Sequence, residues 1–336
     1  MALVLQLVNG GEPAVGRVAV AVERLLPGAA PVRPVAALRR GRSHVSWVLD
    51  SGLGRVVGKV LLNDHSTVVL NRLAEHRRVW EHGVPVPRLL GFTPSSDAVG
   101  GRLLIVAEYL AGRDAEEASR ALPATAMSEV MHSAGAALAR LHQVPAVAFG
   151  DPVSELGLGT DTWSAAVASR VELLTRAYRD HDGESEGAAA GLVSAGLALL
   201  GQLADEVSHA VRPAVAHLDV YLPNILVDPA GCFSVLLDLE HVRWVDPVMD
   251  FVKPAMWMFE GRSGWAEAFG DGYRETCGWP QRWPERMAVV TGWELLTGVD
   301  YWTRIKDQPM REDYLRRLRA WVRSDGVGHG WPSMAK

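Results

Sequence analysis

Residues 216–240 read AHLDVYLPNILVDPAGCFSVLLDLE and are the most informative stretch of the chain. Two runs rich in β-forming residues, NILVD and CFSVLLD, are joined by DPAG, whose Asp, Pro and Gly suit a type I turn. The stretch therefore predicts an antiparallel hairpin. Asn224 begins its first strand and Asp238 ends its second, so both side chains should lie at the same open end of the hairpin.

Further polar residues surround this open end. Asp219 lies five residues before Asn224, on the loop that enters the hairpin, and should therefore lie near Asn224 and Asp238. A set of ligands made only of oxygen suits Mg²⁺, which takes one or two carboxylates and completes its shell with phosphate and water oxygens. A carboxylate beside the metal could orient a hydroxyl group and accept its proton. We expect His217 to hold the loop, and Glu240 either to contact the metal site or to cap the hairpin.

Composition excludes several classes of protein. The chain has 336 residues, enough for two lobes, and its net charge of -5 has no basic surplus for binding nucleic acid. Two cysteines are too few for a disulfide framework or a structural zinc site and favour a reducing cytoplasm. The first residues, MALVLQLVNGGEP, lack the positive leading region of a secretory signal, and no apolar run reaches the length of a membrane span. We therefore expect no membrane and no nucleic acid as partners.

The order of patterns along the chain indicates two lobes. A helical pattern, AVGRVAVAVERLL, precedes three predicted strands within residues 32–62, and a helix follows over TVVLNRLAEHRRVWEHG. The segment GRLLIVAEYLAG then predicts a buried strand that runs into an extended connector. From about residue 120 the periodicity is mostly helical, apart from the hairpin. The connector is thus the predicted boundary between the lobes.

These residues resemble a known family. The spacing His217-x-Asp219-x4-Asn224, followed by Asp238-x-Glu240, is similar to the catalytic loop and metal segment of the aminoglycoside phosphotransferase and choline kinase family. The strings EHGVPVPRLLGF, LARLHQV and DPVMDF also resemble segments of that family. The resemblance implies an α+β, two-lobed protein-kinase-like fold. Its N-terminal lobe, residues 1–109, would hold an antiparallel sheet and a helix, and residues 110–336 would form a mainly helical catalytic and substrate-binding lobe.

The resemblance also assigns roles to residues. It implies that Asp219 orients the acceptor hydroxyl and that Asn224 and Asp238 hold Mg²⁺. Lys59 would contact the nucleotide phosphates, and Glu75 is the candidate partner of Lys59, with an exposed helix face as the alternative for Glu75. The remaining expected nucleotide contacts are Ser43 and His44 in the turn over the phosphates, and Ala107, Glu108 and Tyr109 against the base.

Two positions depart from the family pattern. The family usually has Gly where this chain has Leu218, and a second His near Tyr221. The turn over the phosphates contains one glycine, Gly41, which leaves phosphate contacts to backbone amides and to Ser43 and His44. On the segment after residue 240, Glu294 and Asp300 could receive a cationic substrate or form a solvated helix face.

The implied activity is the transfer of the γ-phosphate of ATP or GTP to a hydroxyl group of a small molecule. Within the family we favour an antibiotic as the acceptor, an aminoglycoside or another hydroxyl-bearing natural product, so that the transfer confers resistance. The alternative acceptors are choline, a sugar or homoserine, as in a metabolic kinase. A regulatory pseudokinase is the other hypothesis. A pseudokinase lacks at least one catalytic group, whereas this chain retains all of those named above.

Overall fold

The computed structural model describes residues 13–38, 44–62, 66–151, 159–180 and 188–327. The first part of the chain forms an antiparallel sheet with two helices beside it, and the second part is mainly helical, which confirms the predicted α+β architecture. The elements of the first part are α1 Val15–Leu25, β1 Arg33–Ala37, β2 His44–Ser51, β3 Gly54–Leu61, α2 Ser66–Glu81, β4 Leu89–Ser96 and β5 Arg102–Glu108.

The sheet has the strand order β1-β2-β3-β5-β4. Strand β3 is central, and its Lys59 pairs with Ser46 of β2 on one side and with Ile105 of β5 on the other. Helix α1 packs close to this sheet, because a side chain on Gly58 would meet Val18 of α1 at 3.2 Å. The central position of β3 fixes the backbone of Lys59 from both sides.

Strand β4 is a difference from the sequence prediction, which gave no strand between the helix TVVLNRLAEHRRVWEHG and the segment GRLLIVAEYLAG. Leu89–Ser96 pairs antiparallel with β5 and forms an edge of the sheet. Its register is interrupted between Leu89 and Gly91 and again between Thr93 and Ser96. Pro94 lies inside the second interruption, where a residue without an amide proton is tolerated at a sheet edge.

The second part of the chain contains the remaining helices and short strands. They are β6 Arg113–Asp114, α3 Ala115–Ala118, α4 Ala124–His142, α5 Trp163–Asp180, α6 Ala188–Val207, β7 Ala214–Ala216, β8 Ile225–Val227, β9 Phe233–Leu236, β10 Arg243–Val245, α7 Ser263–Cys277, α8 Trp283–Arg304 and α9 Gln308–Arg323. Helices α4 and α7 cross closely at two glycines. A Cβ on Gly135 would lie 1.9 Å from the carbonyl oxygen of Phe269, and one on Gly272 would lie 1.9 Å from that of His132.

One segment, Ala189–Ala210, is long and apolar enough to cross a membrane by length and composition alone. It contains most of α6, whose Leu200 is fully buried and whose Gly196 lies against Leu296 of α8 and Leu318 of α9. Such a segment is also what the core helix of a soluble protein looks like. About one third of its most apolar window is buried, on the side that packs against α8 and α9.

The two parts are joined by residues 109–112. Strand β5 ends at Glu108 in the first sheet, whereas β6 begins at Arg113 and pairs with β8 in a separate small sheet. The larger hydrophobic core lies in the helical part, and smaller clusters lie on the five-stranded sheet. The division into lobes at residue 109 remains a prediction.

Candidate active site

The predicted hairpin is formed by β8 and β9, in which Ile225 pairs with Leu236. Asn224 ends a 3-10 turn, Leu222–Asn224, directly before β8, and its carbonyl oxygen accepts a hydrogen bond of 2.8 Å from the amide of Leu237. Asp238 follows one residue later, in a left-handed conformation with φ of 67°. Asn224 and Asp238 therefore lie at the same end of the hairpin, as the sequence predicted.

The loop before the hairpin is held by two buried side chains. His217 is fully buried, and its Nε2 lies 2.8 Å from the carbonyl oxygen of Leu237, while its Nδ1 accepts a hydrogen bond of 3.2 Å from the amide of Asp219. The carboxylate of Asp250 accepts hydrogen bonds from the amides of His217 and Leu218. Asp250 also lies 2.9 Å from Nε2 of His142. These contacts fix the backbone that carries Asp219.

The carboxylate of Asp219 has two side-chain partners. Its Oδ2 accepts a hydrogen bond of 2.9 Å from Nδ2 of Asn224, and its Oδ1 lies 2.7 Å from Nζ of Lys253. Burial favours a higher pKa for Asp219, but the charge and hydrogen bond of Lys253 outweigh it and lower the pKa below its ordinary value. Asp219 is therefore ionised near neutral pH and can accept a hydrogen bond from a hydroxyl group.

Lys253 was not singled out from the sequence. It lies 34 residues after Asp219, directly before the turn Pro254–Met258, and the only signal was its place just after DPVMDF. Burial lowers the pKa of Lys253, but the charges of Glu294 and Asp219 more than compensate and raise it. The site thus holds an ammonium group beside the carboxylate of Asp219.

The atoms available to a metal fit Mg²⁺. Because Nδ2 of Asn224 donates to the carbonyl oxygen and carboxylate of Asp219, its side-chain oxygen is left as a possible ligand. Asp238 offers a carboxylate oxygen as a second ligand. Nζ of Lys59 lies 2.8 Å from Oδ1 of Asp238, which leaves Oδ2 for the metal. One amide oxygen and one carboxylate, with room for phosphate oxygens and water, is the kind of set that Mg²⁺ takes.

Lys59 lies at this metal segment. Besides Asp238 it contacts the carboxylate of Glu240, whose Oε1 lies 3.4 Å from Nδ1 of His44. Burial alone would lower the pKa of Lys59, but Asp238 and Glu240 raise it, and Lys59 and His44 hold the pKa of Glu240 far below its usual range. The structure thus brings together Lys59, His44 and Asp238, and it adds Glu240 to them. Ser43 lies outside the described residues.

The pairing of Glu75 with Lys59 is not found among the described residues. Glu75 is 5% exposed, so it is not a solvated helix face either. Its carboxylate accepts hydrogen bonds from Arg78, on the same helix, and from Nε1 of Trp244 at 3.1 Å. Lys59 contacts Asp238 and Glu240 instead, and Glu75 belongs to the packing of α2 on the second part of the chain.

Arg72, one turn before Glu75, makes the link between α2 and the metal segment. Its Nη1 donates a hydrogen bond of 2.7 Å to the carbonyl oxygen of Glu240, and its Nη2 lies 2.8 Å from Oδ1 of Asp151. Asp151 also accepts a hydrogen bond from Nε of Arg243 at 3.0 Å. The expected partner on this helix was an acid, and no local pattern marks Arg72 as the residue that reaches the metal segment.

The connector residues Ala107, Glu108 and Tyr109 are half-buried. The amides of Glu108 and Tyr109 donate to the carbonyl oxygens of Arg88 and Arg55 at 3.0 and 3.3 Å, so they are not free to contact a base. Leu110 is the next residue, and its amide has no backbone partner in the described part of the chain. Base contacts on this segment would therefore use the carbonyl groups or Leu110.

A cavity of about 90 Å³ lies beside Leu218, the residue before Asp219, and beside Lys253, the partner of Asp219. Leu218, Lys253 and Glu294 line it together with residues of α5 and α8. Leu218 has a φ of 64°, the left-handed region in which the family glycine would be unstrained. The alternative of a solvated helix face is wrong for Glu294, which lines this cavity, and for Asp300, which is 5% exposed.

The chain is similar to known proteins in both sequence pattern and fold. A family model described as "Phosphotransferase enzyme family" matches residues 34–288, while no curated protein matches the chain. A solved structure of aminoglycoside phosphotransferase APH(4)-Ia in a ternary complex with AMP-PNP and hygromycin B is similar, with a TM-score of 0.65, 16% identity and coverage of 88% of this chain and 95% of that chain. A macrolide 2'-phosphotransferase type I is similar with a TM-score of 0.58, 16% identity and coverage of 90% and 96%. The GDP complex of aminoglycoside 2'-phosphotransferase-IIIa is similar with a TM-score of 0.57, 14% identity and coverage of 89% and 94%.

Proposed function

Because the chain belongs to the phosphotransferase enzyme family, we propose that it transfers the γ-phosphate of ATP or GTP to a hydroxyl group of a small molecule. The observation that carries the proposal is the set of contacts around Asp219. Asn224 and Lys253 hold its two carboxylate oxygens, and the loop contacts of His217 bring it to the end of the hairpin that carries Asp238.

In the proposed reaction, Asp219 accepts a hydrogen bond from the acceptor hydroxyl and takes its proton as the new P–O bond forms and the bond to the leaving nucleoside diphosphate breaks. Asn224 and Asp238 would hold Mg²⁺, which supplies charge neutralisation for the phosphates when bound. Lys59 and His44, which lie beside Asp238 and Glu240, would contact the phosphate oxygens of the nucleotide. The catalytic contribution of these residues is alignment and charge, because phosphoryl transfer needs little covalent participation from the protein.

For the acceptor we propose a hydroxyl-bearing natural-product antibiotic, and for the outcome resistance. A phosphate adds nearly two negative charges and bulk to the modified hydroxyl, which would oppose binding of the drug to its own target. The solved relatives that act on aminoglycosides and macrolides support this class of acceptor, and their bound AMP-PNP and GDP support a nucleotide donor. We propose the cytoplasm as the site of action, where thiols such as those of Cys232 and Cys277 stay reduced.

A metabolic kinase is the second candidate, and the cavity beside Asp219 favours it over an enzyme specific for polycations. Three of the charged side chains that line the cavity are basic, Arg170, Arg243 and Lys253, and one is acidic, Glu294. A charged metabolite or sugar derivative would fit such a wall as well as a drug would.

The test is a transfer assay with purified protein, Mg²⁺ and ATP or GTP against a panel of antibiotics and hydroxyl-bearing metabolites, read as the mass increase of one phosphate. We expect one class of acceptor to gain phosphate.

Asp219→Asn should abolish the gain while nucleotide binding, measured by calorimetry, is retained. Asp205→Asn, on the exposed face of α6, is the matched control and should transfer at the wild-type rate. Wild-type turnover by Asp219→Asn would contradict the role of Asp219, and nucleotide binding without transfer to any acceptor would favour a pseudokinase.

A further inference from the structure

The cavity beside Asp219 is small and basic. Its volume of about 90 Å³ equals that of about three water molecules, enough for one substituent of a ligand rather than for a whole drug. It lies between α5, which carries Arg170, and α8, which carries Trp293 and Glu294, and Lys253 joins it to Asp219. A group bound there would lie beside Lys253, whose Nζ contacts the carboxylate of Asp219.

The three cationic side chains that line the cavity differ in their ion-pair partners. Lys253 is paired with Asp219, and Arg243 is paired with Asp151. Arg170 has no ion pair with a carboxylate of the described chain. Its Nη2 donates to the hydroxyl oxygen of Thr297 at 2.9 Å, and its guanidinium carbon lies 5.8 Å from the centre of the Trp293 ring.

One donor atom of Arg170 is left over. Its Nε is buried and has no hydrogen-bond partner in the part of the chain that the structure describes. A buried N–H group without a partner is destabilising. Arg170 itself lines the cavity, so its guanidinium brings to the wall a positive charge that no carboxylate pairs in the part of the chain that the structure describes.

Glu294 is the one acid among the residues that line the cavity. Burial raises its pKa and the charge of Asp219 adds to this, whereas the charge of Lys253 and the hydrogen bond from Tyr314 lower it. Oε1 of Glu294 already accepts a hydrogen bond of 3.0 Å from the hydroxyl of Tyr314. Burial lowers the pKa of Arg170; the charges of Arg243 and Arg304 lower it further, and those of Asp300 and Glu294 raise it. Among the residues that line the cavity the cations outnumber the one acid, so a bound anion would be attracted and a bound cation repelled.

We propose that the cavity receives an oxyanion, the carboxylate or phosphate of the acceptor, with Arg170 as its direct partner. The enzyme would then select acidic hydroxyl compounds over polycationic ones such as aminoglycosides. This specificity rests on the proposed transfer activity, since it is the acceptor that the cavity would orient.

The first test locates ions in crystals of the full chain with MgADP bound, soaked in parallel with bromide and with rubidium. Both ions are identified by anomalous scattering. We expect bromide in the cavity at the guanidinium of Arg170 and no rubidium there. Rubidium in the cavity, or a cavity without bromide, would overturn the proposal, and neither result depends on the folding of a variant.

The second test measures binding of sugars that share one skeleton and differ in charge, by calorimetry with MgADP present. The probes are glucuronate, glucose 6-phosphate, glucose and glucosamine. We expect the two acidic sugars to bind about tenfold more tightly than glucose, and glucosamine more weakly than glucose. The stronger of the two acidic sugars distinguishes a carboxylate acceptor from a phosphate acceptor. Equal affinity for all four sugars, or no binding by any of them, would overturn the proposal.

Variants of Arg170 connect this preference to one residue. Arg170→Met should lose the preference for acidic sugars, and Arg170→Lys should keep part of it because the charge remains. Arg176→Met is the matched control on the same helix, where Arg176 is exposed and pairs with Glu172, and it should behave as wild type. A preference for acidic sugars that survives in Arg170→Met would overturn the role of Arg170.

The two proposals fail in different ways. If the cavity binds bromide and acidic sugars but no compound is phosphorylated, the transfer function is wrong and the anion site stands. If the aminoglycoside kanamycin is phosphorylated with the same KM by wild type and Arg170→Met, the transfer function stands and the anion site is wrong.

Discussion

Nζ of Lys253 lies 2.7 Å from Oδ1 of Asp219, so the proposed base is ion-paired with a residue 34 positions further along the chain. Burial favours a higher pKa for Asp219, and Lys253 is the largest influence that lowers it; His241 and His217 act in the same direction. In the wild type, Asp219 should therefore remain ionised well below neutral pH.

We predict that Lys253→Met moves the acidic limb of the pH–rate profile to higher pH, by about one unit, because burial then acts on Asp219 without its main counter-charge. The measurement is kcat as a function of pH with saturating acceptor. Lys306→Met is the matched control, because Lys306 is exposed. An unshifted acidic limb in Lys253→Met would mean that Asp219 does not set it.

Asn224 is predicted to have two separable roles, since its Nδ2 donates to Asp219 and its oxygen is left for a metal. Asn224→Ala removes both atoms and should weaken the apparent affinity for Mg²⁺ about tenfold or more. Asn224→Asp keeps an oxygen ligand and should retain most of that affinity, while its carboxylate beside Asp219 slows transfer. Titration of the rate with Mg²⁺ separates the two effects, and equal Mg²⁺ affinity in all three proteins would exclude Asn224 as a ligand.

Leu218 has a φ of 64°, which costs a residue with a Cβ about 1–2 kcal/mol relative to glycine. In the middle of a helix or strand, a protein with Gly is usually less stable than the same protein with Ala. At this position we predict the reverse order, with Leu218→Gly more stable than Leu218→Ala by about 1 kcal/mol. Both should be less stable than wild type, because Leu218 packs against the core of the helical part. Denaturant unfolding of the three proteins gives the order, and a more stable Ala variant would show that the loop relaxes out of this conformation.

Arg72 is predicted to align the metal segment with α2. Its side chain is 9% exposed and bonds the carbonyl oxygen of Glu240 and the carboxylate of Asp151. Arg72→Met should lower kcat about tenfold, since a small displacement of Glu240 and Asp238 misaligns the phosphates. Arg77→Met, on the exposed face of the same helix, is the control and should leave kcat unchanged. A loss of thermal stability in Arg72→Met with wild-type kcat would leave Arg72 with a purely structural role.

His76 is predicted to make the protein less stable in acid. Burial lowers its pKa from about 6.5 to about 4, even though its Nε2 lies 2.7 Å from the carbonyl oxygen of Pro87. The unfolded chain therefore binds a proton at His76 as the pH falls below 6.5, whereas the folded chain binds it only near pH 4. Stability should fall across this window, by about 3 kcal/mol from this residue alone.

His76→Gln should flatten that dependence. The free energy of unfolding, measured by denaturant titration between pH 7 and pH 4, should lose about one proton of slope in the variant. His82→Gln is the control at an exposed position just beyond the same helix. Identical slopes in wild type and His76→Gln would show that His76 is not buried as a neutral group.

The sequence predicted the parts of the fold that depend on local pattern. The predicted strands within residues 32–62 include the one that carries Lys59, and the turn DPAG predicted the hairpin that joins Asn224 to Asp238; the structure has both. Strand β4 was missed because Gly91 and Pro94 weaken its pattern, and it is stabilised by pairing with β5, which is a tertiary interaction.

The partners of charged side chains were much less predictable. Lys59 contacts Asp238 and Glu240 rather than Glu75, and Arg72 takes the place on α2 where an acid was sought. Each of these contacts joins residues more than 150 positions apart, so no local spacing encodes it. Helical periodicity placed Glu294 on one face of its helix but could not show whether that face meets solvent or lines a cavity.

The carboxylate of Asp250 has a consequence for how this protein can change over evolution. It accepts hydrogen bonds from the amides of His217 and Leu218 and also contacts His142. None of these three residues lies on α5 or α8. The backbone of Asp219 is thus held by residues outside α5 and α8, the two helices that contribute Arg170 and Glu294 to the cavity wall. A substitution of Arg170 on α5 can therefore change the charge of the wall and leave the contacts that hold the backbone of Asp219 in place.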